Sequence, residues 1–332
     1  MSSSIPSVFS IIAKGGEFSV ASLAALLQLS EETIKQQIGQ LISNQCTGLQ
    51  LINGKVCMEK AIEVLSVEQI LSSGPFKDPV EIEVFEQLTS SNQYLLDIDN
   101  YSKEAKLCAV EYQTAGRGRL GRHWVMPMAG HLSFSIAKVQ PLDSEKMMFL
   151  SLAAGVCVIE SLKMSGLNQL YLKWPNDLVI DLGDDLIKLG GVLVESRYLP
   201  NKQVKWVMGI GINIEETHSF ATNIKQPVLG ILQILSESPN KMSFSRNRFI
   251  AEFIKKWQAI ESLLDEDPIQ VINRWRQFDI LNNREVNVFP AKEAPFQAVA
   301  KGIDDKGRLR IENQNVIEYL NSGEVKVRIK KA

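Results

Sequence analysis

The spacing of hydrophobic positions changes along the chain, and each change predicts a new kind of structure. In the first forty or so residues apolar side chains recur every three or four positions, the spacing of one helix face. Residues 6–13 predict a short helix. Residues 20–29 predict a second, with Leu23, Leu26 and Leu27 at helical spacing, and 31–44 a third, with Ile34, Ile38, Leu41 and Ile42 inward and Ser30 as N-cap. The sequence then turns extended: 49–52 and 55–58 flank Asn53-Gly54, the strongest two-residue hairpin signal. Three helices followed by a hairpin is the order of a winged helix-turn-helix. Residues 1–65 are assigned to such a domain and 66–80 to a linker, a short helix broken at Gly74-Pro75 and Pro79.

From residue 81 strands and helices mix. Strands are predicted around 82–85, 107–112, 131–139, 171–173, 178–180, 190–195 and 205–214, with a turn at 183–185 and a loop at 215–226. A helix should follow Ser90-Ser91-Asn92 through Tyr94, Leu95 and Leu96. The most apolar helix, 144–164, is broken by Ser151 and Gly155 and reads as buried, since its apolar run is too short to span a bilayer. Residues 243–264 carry Phe249, Phe253, Ile254, Trp257 and Ile260 on one side, and 268–278 make a further helix. Beyond 283 only short alternating runs remain: Val286/Val288, Phe296/Ala298/Ala300, Leu309/Ile311 and Val325/Val327/Ile329. They predict a small SH3-like β-barrel with Lys326, Arg328 and Lys330 on a solvated face. The expected fold class is α+β: a winged helix-turn-helix (1–65), a linker (66–80), a central mixed-sheet domain (81–282) and an SH3-like C-terminal domain (283–332).

Composition narrows the function. The 332 residues are 45% hydrophobic and 22% charged, as in folded soluble proteins. A net charge of −2 provides no global field to attract nucleic acid. Residues 1–70 hold four lysines, six glutamates, no aspartate and no arginine. Lys35 on the third helix and Lys55 at the hairpin are the candidate DNA contacts, opposed by Glu31 and Glu32 at the helix start. The four cysteines form no CxxC, so a reduced, cytoplasmic protein without zinc is expected. No signal peptide is evident.

The chemistry concentrates in Gly116–Arg122, GRGRLGR. Glycine allows close backbone approach, and arginine fits carboxylate and phosphate oxygens. The pattern predicts a loop that closes over an anion. Gly116, Gly118 and Gly121 also fit the dinucleotide fingerprint, but that requires a helix afterwards, and Pro127, Gly130 and an alternating strand follow instead. No GxxxxGK[ST] is present. Gly209 and Gly211 in one predicted strand fit either a ligand against the backbone or tight packing. Trp124 fits either a lid on a ligand or a core position.

A second stretch, Lys173-Trp174-Pro175-Asn176-Asp177-Leu178, could by itself be an ordinary turn. With GRGRLGR, Ser90-Ser91-Asn92-Gln93, Gln113 and Gly190-Gly191-Val192-Leu193-Val194-Glu195, it resembles the biotin protein ligase family over residues 80–330. The resemblance implies a class II aminoacyl-tRNA synthetase-like, biotin–lipoate ligase fold. It also implies two half-reactions: biotin and MgATP give biotinyl-5′-adenylate, and a lysine of an acceptor domain then displaces AMP. The catalytic residues would be Lys173 and Arg119. Biotin would meet Ser90, Ser91, Asn92, Gln113, Arg117, Gly118, Arg119 and Lys173. Ser91 stands where the family usually has threonine and keeps the hydroxyl. ATP and the adenylate would meet Arg117, Arg119, Arg122, Asn176, Gly191 and Asn213. Asp177 is assigned, from its chemistry, to Mg2+. The implied partners are the biotin carboxyl carrier protein of acetyl-CoA carboxylase, a second copy of the chain on adenylate binding, and operator DNA; no membrane is implied. Two alternatives stay open: a biotin-sensing repressor, and a lipoate–protein ligase.

Overall fold

The computed structural model describes residues 7–99, 104–124, 127–141, 144–183, 186–215, 229–236, 243–290, 293–322 and 325–330. Most of the loop expected at 215–226, and positions 184 and 185 of the expected turn, lie outside the described residues.

Three serines start the first helices. Ser7, Ser19 and Ser30 precede α1 (Val8–Ile12), α2 (Val20–Leu27) and α3 (Glu31–Ser43), and each hydroxyl accepts from the backbone N–H three residues on. Each thereby satisfies a donor that a helix start leaves open. A short strand that the sequence pattern did not predict, β1 (Gly16–Phe18), lies between α1 and α2. It pairs with β3 (Lys55–Met58), which also pairs with β2 (Leu49–Ile52) across Asn53-Gly54, both at positive φ. Ile34, Ile38 and Leu41 are buried, but Ile42 is exposed. It follows Leu41 by one helical step, about 100°, which carries it off the inward face. Leu26 is likewise exposed.

The segment expected as a linker is docked. Its helix α4 (Val67–Ser72) buries Ile70. The Ser66 N–H donates to Asn247 Oδ1 at 2.8 Å and the Lys77 N–H to Gln258 Oε1 at 2.8 Å.

The central sheet comprises β4 (Val80–Leu88), β5 (Ala105–Gln113), β6 (His131–Pro141), β7 (Leu170–Lys173), β8 (Asp177–Asp181), β9 (Leu186–Leu199) and β10 (Gln203–Asn213), in the order β4-β5-β6-β10-β9-β8-β7. Only β4–β5 is parallel, with α5 (Ser91–Asp97) in the crossover, so the sheet is mixed. Among the described residues α6 (Ser144–Lys163), α7 (Ile231–Ser236), α8 (Arg246–Glu266) and α9 (Pro268–Arg276) contribute to the same core. There Trp206 meets Trp257 edge-on at 5.5 Å between ring centroids and Phe134 meets Phe253 at 5.1 Å. The C-terminal sheet holds β11 (Glu285–Pro290), β12 (Phe296–Ile303), β13 (Leu309–Asn313), β14 (Val316–Leu320) and β15 (Val325–Ile329), in the order β14-β13-β12-β11-β15. Its apolar face, including Val286, Val288, Ala300 and Ile311, belongs to the central core. The N-terminal elements have a separate core that reaches the central sheet through Met128 and Ala129.

One buried ion pair ties these parts together. Arg246 at the start of α8 donates to Glu111 of β5 at 2.7 Å, and both side chains are almost fully buried. Glu111 Oε1 accepts the Leu65 N–H at 2.6 Å, while Arg246 also donates to the backbone carbonyls of Glu63 and His131. The segment joining the N-terminal elements to the sheet is therefore fixed by charge-assisted hydrogen bonds. Removing one partner strands the other charge in the interior. Arg246→Ala should lower the unfolding free energy by about 3–5 kcal/mol, read from denaturant titration. A loss below about 1 kcal/mol would show the pair to be solvated in practice.

Candidate functional site

A cavity of about 430 Å3 opens where the central sheet meets β15. The start of α5 contributes Ser90, Ser91 and Asn92, the end of β5 contributes Gln113, and the glycine–arginine loop contributes Arg117, Gly118, Arg119 and Arg122. Lys173 ends β7, Asn176 and Asp177 lead into β8, Gly191 lies on β9 and Asn213 ends β10. All the positions expected to meet biotin, nucleotide or metal thus line one space. Lys35 and Lys55 do not, being exposed on the N-terminal elements.

One end of the cavity is polar and neutral. Ser90, Ser91, Asn92, Ser133 and Ser135 are all buried. The Ser91 N–H donates to Gln113 Oε1 at 2.8 Å, and Gln113 Nε2 donates to Ser133 Oγ at 3.3 Å. Ser135 Oγ donates to Asn92 Oδ1 at 2.6 Å and lies 2.7 Å from Ser91 Oγ. With the Ser135 proton committed to Asn92, the single Ser91 hydroxyl proton is shared between two acceptors, Ser135 Oγ and Gln113 Oε1 at 3.1 Å. Gly209 makes this arrangement fit: a Cβ there would stand 2.3 Å from Asn92 Oδ1. At Gly211 a Cβ would stand 3.0 Å from the Trp124 ring. The two strand glycines line the cavity and also seat these side chains. Trp124, half-buried, forms cavity wall, with Lys188 Nζ 5.4 Å from its ring centroid.

The other end is cationic. Arg117, Arg119, Arg122, Lys173, Lys188, Lys326 and Arg328 line the cavity; among the described lining residues the carboxylate is Asp177, and Arg117 pairs with Glu195 behind the lining. Asp177 Oδ1 accepts from Lys188 at 2.6 Å. Burial pushes the Lys173 ammonium below the usual lysine range; Asp177 offsets part of this, while Lys188, Arg328 and Lys326 add to it. Burial also lowers Arg119, with Asp177 opposing and Arg122 adding. Such crowding of like charge costs free energy until an anion arrives. Arg119 donates to Asn176 Oδ1 at 3.3 Å and to the Ser322 carbonyl, bridging the loop to the C-terminal sheet. Asn176 Nδ2 donates to the Val192 carbonyl at 2.7 Å, fixing the turn after Lys173 to β9. Among the described residues no three His, Cys, Asp or Glu side chains cluster as metal ligands.

Lys326 and Arg328 correct an expectation. Their alternation does place them on one face of β15, but that face borders the cavity instead of facing only solvent. Lys330 lies away from it and pairs with Glu285 at 2.9 Å. Lys188, Ser133 and His123 also line the cavity without having been singled out.

Residues 84–213 match the Biotin/lipoate A/B protein ligase family and residues 283–328 the Biotin protein ligase C terminal domain, together more than half of the chain. The chain is 28% identical over 323 residues to the Bifunctional ligase/repressor BirA of Escherichia coli (strain K12), covering 97% of this chain and 96% of that protein. It is 27% identical over 257 residues to the Biotin--[acetyl-CoA-carboxylase] ligase of Mycobacterium tuberculosis, covering 74% of this chain and 88% of that one. Among solved structures, the biotin protein ligase from Aquifex aeolicus in complex with biotin and ATP is similar in fold, with a TM-score of 0.60 and 23% identity over 75% of this chain and 99% of that one. Two family matches in the expected order, and similarity running nearly end to end, show that this chain belongs to the biotin protein ligase family.

Proposed function

We propose that this chain is a biotin–protein ligase that activates biotin with ATP to biotinyl-5′-adenylate and passes the biotinyl group to a lysine of a biotin carboxyl carrier protein, that of acetyl-CoA carboxylase. The observation that carries this reading is the joining of a neutral polar end and a cationic end, with Lys173 among its lining, in one cavity. A neutral head group with donors and acceptors suits the first end. A carboxylate and a triphosphate suit the second.

In the first half-reaction a biotin carboxylate oxygen bonds to the α-phosphorus as the bond to pyrophosphate breaks. Two anions must be brought together, and fixed positive charge lowers that barrier. Lys173, at the end of a strand, is assigned the charge between them. Arg119 and Arg122 line the same cavity from the loop, and Lys188, Lys326 and Arg328 add positive charge to it. Mg2+ takes most of its ligands from phosphate and water and needs only one or two protein carboxylates, so Asp177 fits an ion delivered with ATP. In the second half-reaction the acceptor amine bonds to the acyl carbon, the bond to AMP breaks and the amine proton passes to solvent. The loop's task between the two is to exclude water from the anhydride.

The finer assignments belong to the same proposal: a winged helix-turn-helix over 1–65, a connecting segment over 66–80, a catalytic domain over 81–282 and an SH3-like domain over 283–332. A cytoplasmic location and adenylate-linked dimerisation are part of it as well. Among the described residues no helix is long and apolar enough to cross a membrane. The reading is tested by ATP–pyrophosphate exchange with biotin or lipoate. Exchange with biotin alone is expected, and exchange with lipoate alone would replace the reading.

Lys173→Ala should slow biotin-dependent pyrophosphate exchange by at least about 100-fold and slow transfer from preformed adenylate less. Near-normal exchange would reject the assignment. Because burial lowers the Lys173 pKa, its charged form disfavours the fold. That cost is present below the folded pKa and is relieved as pH rises towards the unfolded value. Lys173→Met should therefore raise the melting temperature at neutral pH while abolishing exchange.

Arg119→Gly removes the bridge to Asn176 and Ser322 and frees the loop backbone. Escaping adenylate should then biotinylate bystander protein several-fold faster than wild type, and equal labelling would argue against a clamp.

A repressor role is a second activity on this reading, and the charges restrain it. Lys55 is paired with Glu17 at 3.3 Å, and Glu31 and Glu32 are exposed at the start of α3. With few free cations, little affinity can come from counterion release. DNA binding should be weak for one protomer and measurable only with biotin and ATP present on a two-half-site operator. Nanomolar, sequence-specific anisotropy at physiological salt would show that the glutamates face away from the duplex.

A further inference from the structure

Glu195 lies on β9 outside the cavity lining. Its Oε2 accepts two hydrogen bonds, from Arg117 Nη2 at 2.8 Å and from Asn92 Nδ2 at 2.8 Å. The other terminal nitrogen of Arg117, Nη1, donates to Gln93 Oε1 at 2.7 Å. Asn92 and Gln93 are consecutive on α5, and Asn92 is part of the neutral end of the cavity. Arg117 belongs to the glycine–arginine loop. One carboxylate oxygen thus joins the loop to the head-group pocket.

We infer that Glu195 is a positioning residue that latches the loop onto the neutral end of the cavity, so that loop closure depends on Asn92 being in place. This rests on the biotin ligase reading for its ligand, but not for its geometry. A loop with three glycines has large backbone freedom and needs anchors if it is to close reproducibly. Arg119 supplies one, to Asn176 and Ser322. Arg117 supplies the other, and the two uses of arginine differ. Both terminal nitrogens of Arg117 are bonded to protein and its charge faces Glu195, so it has little left for an anion. Its Nε is buried with no acceptor among the described residues. Asn92 is equally constrained: Nδ2 donates to the Leu193 carbonyl at 3.2 Å as well as to Glu195, and Oδ1 accepts from Ser135. A ligand that moved the Asn92 amide would pull on the oxygen that holds the loop.

The test compares full-length wild type with Glu195→Ala, Glu195→Gln, Arg117→Ala and the Glu195→Ala/Arg117→Ala double variant, each checked for folding by its melting curve. In Glu195→Ala the biotin KM for pyrophosphate exchange should rise about tenfold, more than kcat falls, and bystander labelling should increase. Glutamine can still accept from both donors and should recover most of this. The double variant should fall well short of the product of the two single effects, because the Glu195–Arg117 bond is shared, whereas Glu195–Asn92 and Arg117–Gln93 are not. A readout independent of ligase activity is tryptic cleavage at Arg119 and Arg122 in the free protein, which should accelerate in Glu195→Ala and return towards wild type in Glu195→Gln. Unchanged cleavage, or effects that multiply in the double variant, would overturn the latch. A wild type without biotin-dependent exchange would overturn the ligase reading, and the cleavage rates would still decide the latch.

Discussion

Uncompensated positive charge at the end of β7 is the condition that the rest of the site answers. Lys173 is desolvated, and among the described residues its cavity is lined by further cations and by Asp177, a carboxylate that Lys188 already engages. A free surface would relax such a cluster by swinging long side chains into water. Here the lysine is fixed to a strand end, the following turn is held to β9 through Asn176, and β15 closes the far wall. The repulsion is therefore stored until anionic substrates enter, which is how a preorganised site differs from a patch of basic residues.

The Glu111–Arg246 pair shows the opposite solution to the same cost. Both charges are buried more deeply than Lys173, yet each meets the other and further backbone partners. That pair has nothing left over for a ligand and acts as a fastener between α8, β5 and the segment at Leu65. The N-terminal elements are consequently bolted to the sheet that carries the loop. Their contact at Met128 and Ala129 falls a few residues after Trp124. Backbone bonds between Asn44 and Met128 and between Thr47 and Met128 strengthen it.

The sequence made visible what is local. Caps, the Asn-Gly hairpin, strand alternation and the two chemistry-bearing stretches each follow from neighbours within a few residues, and the structure brings the corresponding side chains into one cavity. What stayed hidden depends on contacts between distant residues. Lys326 and Arg328 alternate like any solvated strand face, and only the docking of the C-terminal sheet turns that face towards Lys173. The 66–80 segment has a linker's composition, but Asn247 and Gln258, some 180 positions away, supply its hydrogen bonds. β1 is three residues long, too short to show a period. Ile42 was misplaced because α3 packs only one face, Ile34, Ile38 and Leu41, against the N-terminal core, and the step from Leu41 carries Ile42 off it.

The glycine–arginine loop gathers these constraints in one place. Its two inner arginines look equivalent in sequence, and the resemblance assigns both to ligands. Their partners separate them. Arg117 is paired with Glu195 and tied to α5 at the neutral end of the cavity, whereas Arg119, among the described residues, hydrogen-bonds an amide and a carbonyl at the cavity. An ion pair to Glu195 on one arginine, and hydrogen bonds to neutral groups on the next, convert a repeated motif into an anchor and an electrostatic group. The difference lies in Glu195, about eighty residues further along the chain, so spacing within the motif could not reveal it.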